Sequence, residues 1–534
     1  MTYLTTQPQV LAAAAADLSG IGSAVAEATS AASGRTTGVV AAALDEVSVA
    51  TAALFNGFAQ ECQAVVGQAA AFHQEFARAV AAAGSAYLAA ETVNAAAATD
   101  VTLVMGGSGN PIPPLSYVNA VVSKYITPHF PAFTVANAVS LFTPEAFYPL
   151  TGIKDLVPNV SVSEGVQILD TAIKQQLATG NNVAVLGFSQ SSIISSLEMM
   201  ALNPSGTPSA LPIVFTLLGN PMNPNGGLLA RFPGLEMPSL GFTFYGATPA
   251  NSFETNIYTI EYDGFADFPQ YPLNILADLN ALAGIYYVHG TYANLTPAQI
   301  DSAIHLTNTV GPTTTDYYMI PNPQLPLTQG LRALPLIGTP LADLVEPNLR
   351  ILVNLGYGSP DQGWSTGPPN VHTPFGLFPP VDPVDVSARL AVGTQQGVNA
   401  FANDIAFMAS QASLSDLVDV VSLVPLPSPD WIARLVANPV NSVNTLASAI
   451  STGYSVLLPT ADFATAALTS VPAYNLQLFG EGLAQAATGD PIGLVNAIGR
   501  PIAADAALFS IAGGFEALVL ISAVQSIMDD LSSL

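Results

Sequence analysis

From Val40 onward, Val40, Leu44, Val47, Thr51, Leu54, Phe58, Cys62, Val65, Ala69, Phe72, Phe76 and Val80 recur at steps of three and four, the spacing that lines one face of a long helix. An earlier set, Val10, Leu11, Ala14, Leu18, Ile21 and Val25, predicts a shorter helix, with the break between Ser33-Gly34 and Gly38. Residues 1–98 therefore read as an alanine-rich helical hairpin. Two helices cannot cover each other on both sides, so its remaining apolar face needs a partner protein or the rest of the chain. From Asp100 the pattern changes to short β-branched runs between glycines and prolines. Residues 101–105, 183–186, 213–218, 241–245 and 257–262 read as strands, with helical stretches at 163–178 and 191–201 between them. Residues 99–375 are thus expected to form an α/β domain. After the proline-rich stretch 368–383, residues 376–534 are apolar and mainly helical by pattern. Pro425, Pro427, Pro429, Pro439 and Pro459 divide this part into short segments, which fit a cap over the core, a separate helical domain or a surface for lipid. No short repeat of the solenoid kind is present.

Composition narrows the classes of function. The 534 residues are half hydrophobic and only 9% charged, against about 25% charged in an average soluble protein. Eleven basic against 37 acidic residues give a net charge of −26, which repels phosphate backbones and anionic headgroups. Nucleic acid is therefore excluded as a partner, and any lipid contact should be apolar. The single cysteine, Cys62, rules out an intramolecular disulfide. The opening Met1-Thr2-Tyr3-Leu4 lacks the basic and Leu-rich segments of a cleavable signal peptide. Residues 507–524 are apolar but interrupted by Gly513, Gly514 and Glu516, so a buried or interfacial helix is expected rather than a membrane span.

Candidate chemistry centres on Gly187-Phe188-Ser189-Gln190-Ser191, which follows the apolar run 183–186 and precedes a stretch that continues as a helix. A serine on a sharp strand-to-helix turn is a nucleophile candidate, and the turn needs small residues two places either side. Ser191 stands where that pattern has its second glycine. A plain helix cap after a buried strand is the competing reading. A serine nucleophile needs a base and a group to orient it. His73 falls in the hairpin and His129 precedes the serine, whereas hydrolases of this kind run Ser, Asp, His. His289, His305 and His372 remain; His305 reads as a half-buried helix residue and His372 as a loop residue. The orienting acid should follow a strand between Ser189 and the histidine. Asp263 and Asp267 both qualify, Asp263 being favoured by its place directly after the strand, whereas Asp278 reads as a helix residue. Oxyanion donors, worth roughly 3 kcal/mol each, are expected from the Gln190 N–H and from the loop Gly106-Gly107-Ser108-Gly109. That loop does not fit G-x-G-x-x-G, and no metal-binding or Walker sequence occurs, so no cofactor is expected.

Two resemblances sharpen this reading. Thr5-Thr6-Gln7-Pro8-Gln9, Gly20-Ile21-Gly22, Thr37-Gly38-Val39-Val40, Asp45-Glu46-Val47-Ser48 and Tyr87-Leu88-Ala89-Ala90-Glu91 resemble the N-terminal domain of the mycobacterial PE family, with Pro8-Gln9 where the naming pair is Pro-Glu. The resemblance implies that Tyr87 and Glu91 belong to a type VII secretion signal and that the hairpin binds a PPE-type partner. Residues 99–375 resemble the PE-PPE domain, a cutinase-like serine α/β-hydrolase. Its matching phrases are Met105-Gly106-Gly107-Ser108-Gly109-Asn110-Pro111, Gly187 to Ser191, Gly219-Asn220-Pro221, Tyr262-Asp263-Gly264-Phe265-Ala266-Asp267-Phe268-Pro269, Tyr271-Pro272-Leu273-Asn274 and Tyr287-Val288-His289-Gly290-Thr291-Tyr292. It implies His289 as the catalytic base. The expected protein is a secreted or envelope-associated serine esterase or lipase acting on acyl esters. Acyl transfer between envelope glycolipids by the same residues, and a catalytically inert interaction protein, are the alternatives.

Overall fold

The computed structural model describes residues 8–93, 100–152, 155–411 and 456–532, together with 445, 448, 451 and 452. The chain forms two compact units, one of residues 1–99 with 171–181, the other of residues 100–170 with 182–534. In the first, α1 (Pro8–Thr37) and α2 (Glu46–Val93) form the hairpin. Asp45 caps α2 by accepting from the Val47 and Ser48 N–H groups at 3.1 and 2.9 Å. The Asn56 side chain donates to the Val39 carbonyl and accepts from its N–H, holding the connection down. His73 bonds the Leu18 carbonyl, and Gly22 leaves the room its ring needs, since a Cβ there would stand 2.9 Å from it. The expected break at 34–38 therefore comes later, because α1 runs on through Gly34 to Thr37. Leu54, Phe58 and Phe72 of the periodic face are more than two-thirds exposed.

The second unit is built on a seven-stranded sheet of order β2-β1-β3-β4-β7-β9-β8. Its strands are β1 (Asp100–Val104), β2 (Ala138–Ser140), β3 (Asn182–Phe188), β4 (Ile213–Leu218), β7 (Glu254–Ile260), β8 (Ile304–His305) and β9 (Thr315–Ile320). All neighbours are parallel except β8 against β9. Central parallel strands are covered on both faces, which is why Val183, Ala184, Val185 and Leu186, and Phe215, Thr216, Leu217 and Leu218, are buried without alternation. One core joins Val104, Leu186, Leu218, Tyr258 and Ile260 to Val118, Val121, Tyr125 and Ile126. The expected strand at 241–245 is instead half of a two-stranded antiparallel ribbon outside the sheet, β5 (Glu236–Met237) with β6 (Phe242–Thr243). His305, expected on a helix, lies exposed on β8 and bonds Asp316 at 3.0 Å.

Around the sheet lie α3 (Leu115–Val121), α4 (Pro158–Ala178), α5 (Gln190–Leu202), α6 (Leu228–Arg231), α7 (Ile275–Tyr287), α8 (Pro297–Asp301), α9 (Pro326–Arg332) and α10 (Gly338–Asn354). They are followed by α11 (Pro383–Gln411), α12 (Leu457–Leu468), α13 (Ser470–Ala487) and α14 (Ile492–Ser532). The C-terminal helices are not all short. The 29-residue α11 and the 41-residue α14 lie before and after the prolines that were taken to divide this part, and α14 continues through Pro501. Pro425, Pro427, Pro429 and Pro439 lie outside the described residues; Pro459 sits in the first turn of α12. By length and composition Ile492–Met528 is apolar enough to cross a membrane. One of its faces is nevertheless packed in protein through Ala504, Ala507, Ile511, Phe515 and Val519.

Because β1 turns one way in the sheet to β2 and β3 lies on its other side, the C-terminal ends of β1 and β3 flank a crevice where the winding direction reverses, the usual place for a site in such sheets. The loop after β7 is held against that edge by α7, whose Gly284 allows the approach: a Cβ there would fall 1.7 Å from the Tyr262 carbonyl oxygen. Gly284→Ala is expected to cost about 1–3 kcal/mol of stability by overpacking. Gly290→Ala, with nothing within 4 Å of the added methyl, should be near neutral. Urea unfolding of both variants checks the pair.

Candidate active site

The strand β3 ends at Phe188 and α5 begins at Gln190, so the whole change of direction falls on Ser189, at φ 58° and ψ −118°. A positive φ is costly for a residue with a Cβ and persists only where its surroundings fix it. Here they do. Gly187 has no space for a side chain, its Cβ position being 2.6 Å from the Ser191 carbonyl oxygen and 2.8 Å from Ser195 Oγ. Ser191, in the place of the pattern's second glycine, is buried and bonded: its Oγ accepts from the Phe188 N–H at 2.8 Å and donates to the Gly106 carbonyl at 2.5 Å. The serine thus ties the turn to the glycine loop after β1.

That loop lies beside the serine because Gly107 lacks a side chain; a Cβ there would stand 2.8 Å from the Phe188 ring and 3.0 Å from Ser189 Cβ. Ser108, Ser189 and Gln190 line one cavity. The Gln190 side chain is committed elsewhere, donating to the Ala146 carbonyl at 2.8 Å and accepting from Ser161 Oγ at 2.7 Å. Its backbone N–H, the first in α5, has no partner within the helix and faces the end where the helix dipole is positive.

His289 follows α7 on a 3-10 turn and brings Nε2 to 2.7 Å from Ser189 Oγ. Its Nδ1 meets the Asp263 carboxylate at 2.8 and 2.9 Å. Asp263 is fully buried and further held by the Phe265 N–H at 3.1 Å and the Tyr292 hydroxyl at 2.7 Å. Tyr292 Oη in turn accepts from the Ile260 N–H at 2.9 Å, so the phenol is fixed to the end of β7. The imidazole is packed between aromatic rings, Phe188 at 5.0 Å and Phe265 edge-on at 4.7 Å. Gly219, at φ 54°, is required beneath it, since a Cβ would lie about 3 Å from Tyr292, His289 and Asp263 together.

Of the two acids that the sequence left close, the structure turns Asp263 to the imidazole. Asp267 points into the opposite side of the same loop, where Oδ2 accepts the Tyr262 N–H at 3.1 Å. Complete burial pushes its carboxyl well above the usual carboxylate range, only partly offset by Tyr262 and Arg231. Asp278 is a helix residue as expected, on α7. His129 bonds the Tyr258 hydroxyl at 2.6 Å, His372 lies in a loop, and neither reaches Ser189. Tyr87 and Glu91 fall on the last turns of α2, and their side chains lie outside the described residues. Tyr292 and the bond made by Ser191 were missed from sequence. A tyrosine three residues beyond a histidine, on the same helical side, was the available signal for the first.

The cavity beside Ser189 is walled mainly by Phe147, Val162, Ile193, Leu229, Phe242 and Phe265. It offers an apolar slot ending at a hydroxyl, an imidazole and the first backbone N–H of α5, the parts that acyl transfer requires.

The sheet, the serine turn and the order Ser189, Asp263, His289 along the chain belong to an α/β-hydrolase fold, preceded by a helical hairpin and followed by helices. Residues 4–94 match the PE family and residues 134–358 the PE-PPE domain. The chain is 48% identical over 407 residues to Esterase PE16 of Mycobacterium tuberculosis (strain ATCC 25618 / H37Rv), covering 73% of this chain and 75% of that protein. It is 41% identical over 485 residues to PE family protein PE3 of the same strain, covering 86% and 100%. To SL1278 acyltransferase Chp1, also of that strain, it is 32% identical over 274 residues, covering 49% and 65%. No solved structure matches it. This chain belongs to the PE family and carries a PE-PPE domain.

Glu145 stands in the segment that braces the glycine loop, its carbonyl accepting from the Gly109 N–H at 2.8 Å. Its side chain is buried, with Oε1 bonded by Thr143 at 2.6 Å and Oε2 without a partner, and burial pushes its carboxyl up to about 8. The folded state thus holds a proton that the unfolded chain releases near its ordinary value of 4.5. This contribution to stability is complete below that value and is lost as pH rises toward about 8, with a slope approaching 1.4 kcal/mol per pH unit. Glu145→Gln should therefore gain stability relative to the parent between pH 5 and pH 8, measured by urea unfolding across about that range. An unchanged difference at both ends would contradict the assignment.

Proposed function

We propose that this protein is an esterase that hydrolyses acyl esters through an acyl-enzyme on Ser189. The observation that carries the reading is the continuous hydrogen-bond path Ser189 Oγ, His289 Nε2, His289 Nδ1, Asp263 at the mouth of an apolar cavity. Esterase PE16, similar over three-quarters of its length, supports it. Ser189 Oγ attacks the ester carbonyl carbon while His289 Nε2 takes the hydroxyl proton. Asp263 holds the Nδ1–H and stabilises the imidazolium, with Tyr292 fixing the carboxylate. Negative charge on the carbonyl oxygen is met by the backbone N–H of Gln190 and by donors of Gly106, Gly107 and Ser108. Collapse expels the alcohol, which leaves with the proton from His289. Water, deprotonated by the same imidazole, then releases the acid and restores Ser189.

Chp1, named as an acyltransferase, favours a second reading in which a sugar hydroxyl of an envelope glycolipid replaces that water. The chemistry up to the acyl-enzyme is the same. On the family resemblance, the hairpin is proposed to carry export by type VII secretion, with Tyr87 and Glu91 in the signal, and to bind a PPE-type partner. Its exposed apolar face is of the kind such a partner covers.

Ser189→Ala is expected to abolish turnover of p-nitrophenyl esters, and Asp263→Asn to lower kcat by about a thousandfold or more by releasing the imidazole from its working tautomer. Asp267→Asn should leave kcat within about tenfold, because that carboxylate does not touch the imidazole. Equal losses at Asp263 and Asp267, or turnover surviving in Ser189→Ala, would overturn the reading.

A further inference from the structure

The two faces of α14 differ in what they meet. On the inner face, Ser510 Oγ donates to Asp278 of α7 at 3.0 Å, and Gly514 lets the helix close on Leu282, where a Cβ would come within 2.4 Å. Phe515 then reaches the wall of the cavity, its ring 6.2 Å from that of Phe265 and 6.3 Å from that of Phe147. Both of those rings line the slot beside Ser189, and Phe265 also touches His289. The inner face of α14 is therefore part of the support of the acyl cavity.

The outer face carries Ile498, Ile502, Phe509, Leu520, Val524 and Met528, between 49% and 66% exposed. At about 100° per residue these six fall within a stripe about 120° wide, on the side away from Ala504, Ile511 and Phe515. The charged side chains of Ile492–Met528 are Arg500, Asp505 and Glu516; Arg500 and Asp505 fall outside the stripe, and Glu516 falls on its edge, at the angle of Ile498. Asp505 bonds Asn475 and Glu516 bonds Thr460, each turned toward a neighbouring helix. From Ile498 to Met528 the stripe extends about 45 Å, a length and width suited to lying in a lipid interface.

We propose that α14 seats the protein on an uncharged lipid surface through this stripe, one helix thickness from the wall of the acyl cavity, and so keeps the protein at the phase from which its substrate comes. Three observations select that occupant. The stripe is continuous, through the thickness of one helix, with the wall of an apolar slot. Its one charge, Glu516 at the edge, is bonded by Thr460, and no basic side chain lies on it to pair with a protein partner's rim. The net charge of −26, with only 11 basic residues, repels anionic headgroups and leaves neutral lipid as the surface it fits. The link to substrate rests on the esterase reading; the binding itself does not.

The test is flotation of the full chain with phosphatidylcholine vesicles, for wild type, Ser189→Ala and the double variant Phe509→Asp/Leu520→Asp. Both substituted positions are exposed, so no charge is buried. Wild type and Ser189→Ala should float equally, and the double variant should bind at least tenfold more weakly while keeping its turnover of a soluble short-chain p-nitrophenyl ester. Admixture of phosphatidylglycerol at low salt should weaken binding. Wild type that stays with the unbound fraction overturns the proposal, as does a double variant that floats undiminished. A dimer that becomes monomeric in the double variant, without flotation of either, assigns the stripe to a second copy and overturns it too. Flotation without ester turnover would sink the esterase reading and leave the lipid seat standing.

Discussion

Everything at the site depends on one turn that has no room to relax. Ser189 is held at a positive φ because β3 must hand over to α5 in a single residue, and Gly187 packs against the backbone of the helix it precedes. The strain is confined by neighbours on three sides: the β4 end, whose Leu218 carbonyl takes the Ser189 N–H at 3.0 Å; the glycine loop; and the imidazole. A hydroxyl presented this way is exposed to a bound substrate while its backbone remains buried, and the first N–H of α5 follows directly behind it. The Ser191 bond to Gly106 extends the constraint, since the loop after β1 cannot move independently of the turn.

Burial then decides what each polar group does. Asp263 is inaccessible to water yet receives donors from His289, Tyr292 and the Phe265 backbone, so its charge is compensated where it stands. Asp267, four residues on, has fewer compensating donors and is pushed toward its neutral form. The same loop therefore carries two buried carboxyls with different partners, one bonded to the imidazole and the other bracing the turn. Aromatic rings on both sides of His289 keep water from competing for those bonds.

Much of this was legible in the chain. The hairpin, the central strands and the serine turn are written in periodicity and in the placing of glycines, which are local signals. The choice between Asp263 and Asp267 was not, because it depends on how the loop folds back on Arg231 and Tyr262 after the sheet has formed. His305 was misjudged for a related reason: two residues of edge strand are too short to leave a period, and β2 was missed likewise. The run at 241–245 has the composition of a strand but pairs in a ribbon, since propensity does not specify a partner. The long helix α14 runs through Pro501, a residue the reading of the prolines did not take up. Ser191 looked like a loss from the serine motif, yet it is a bonded part of the site.

The central claim is that Ser189 becomes acylated with His289 as its base. The most direct test is intact-protein and peptide mass spectrometry after rapid acid quench of the enzyme during p-nitrophenyl ester turnover. The account predicts one acyl group, on the peptide containing Ser189, absent when the substrate is omitted and strongly reduced in His289→Ala. Acylation at another residue, or turnover with no acyl group on Ser189 under conditions that slow its release, would contradict it.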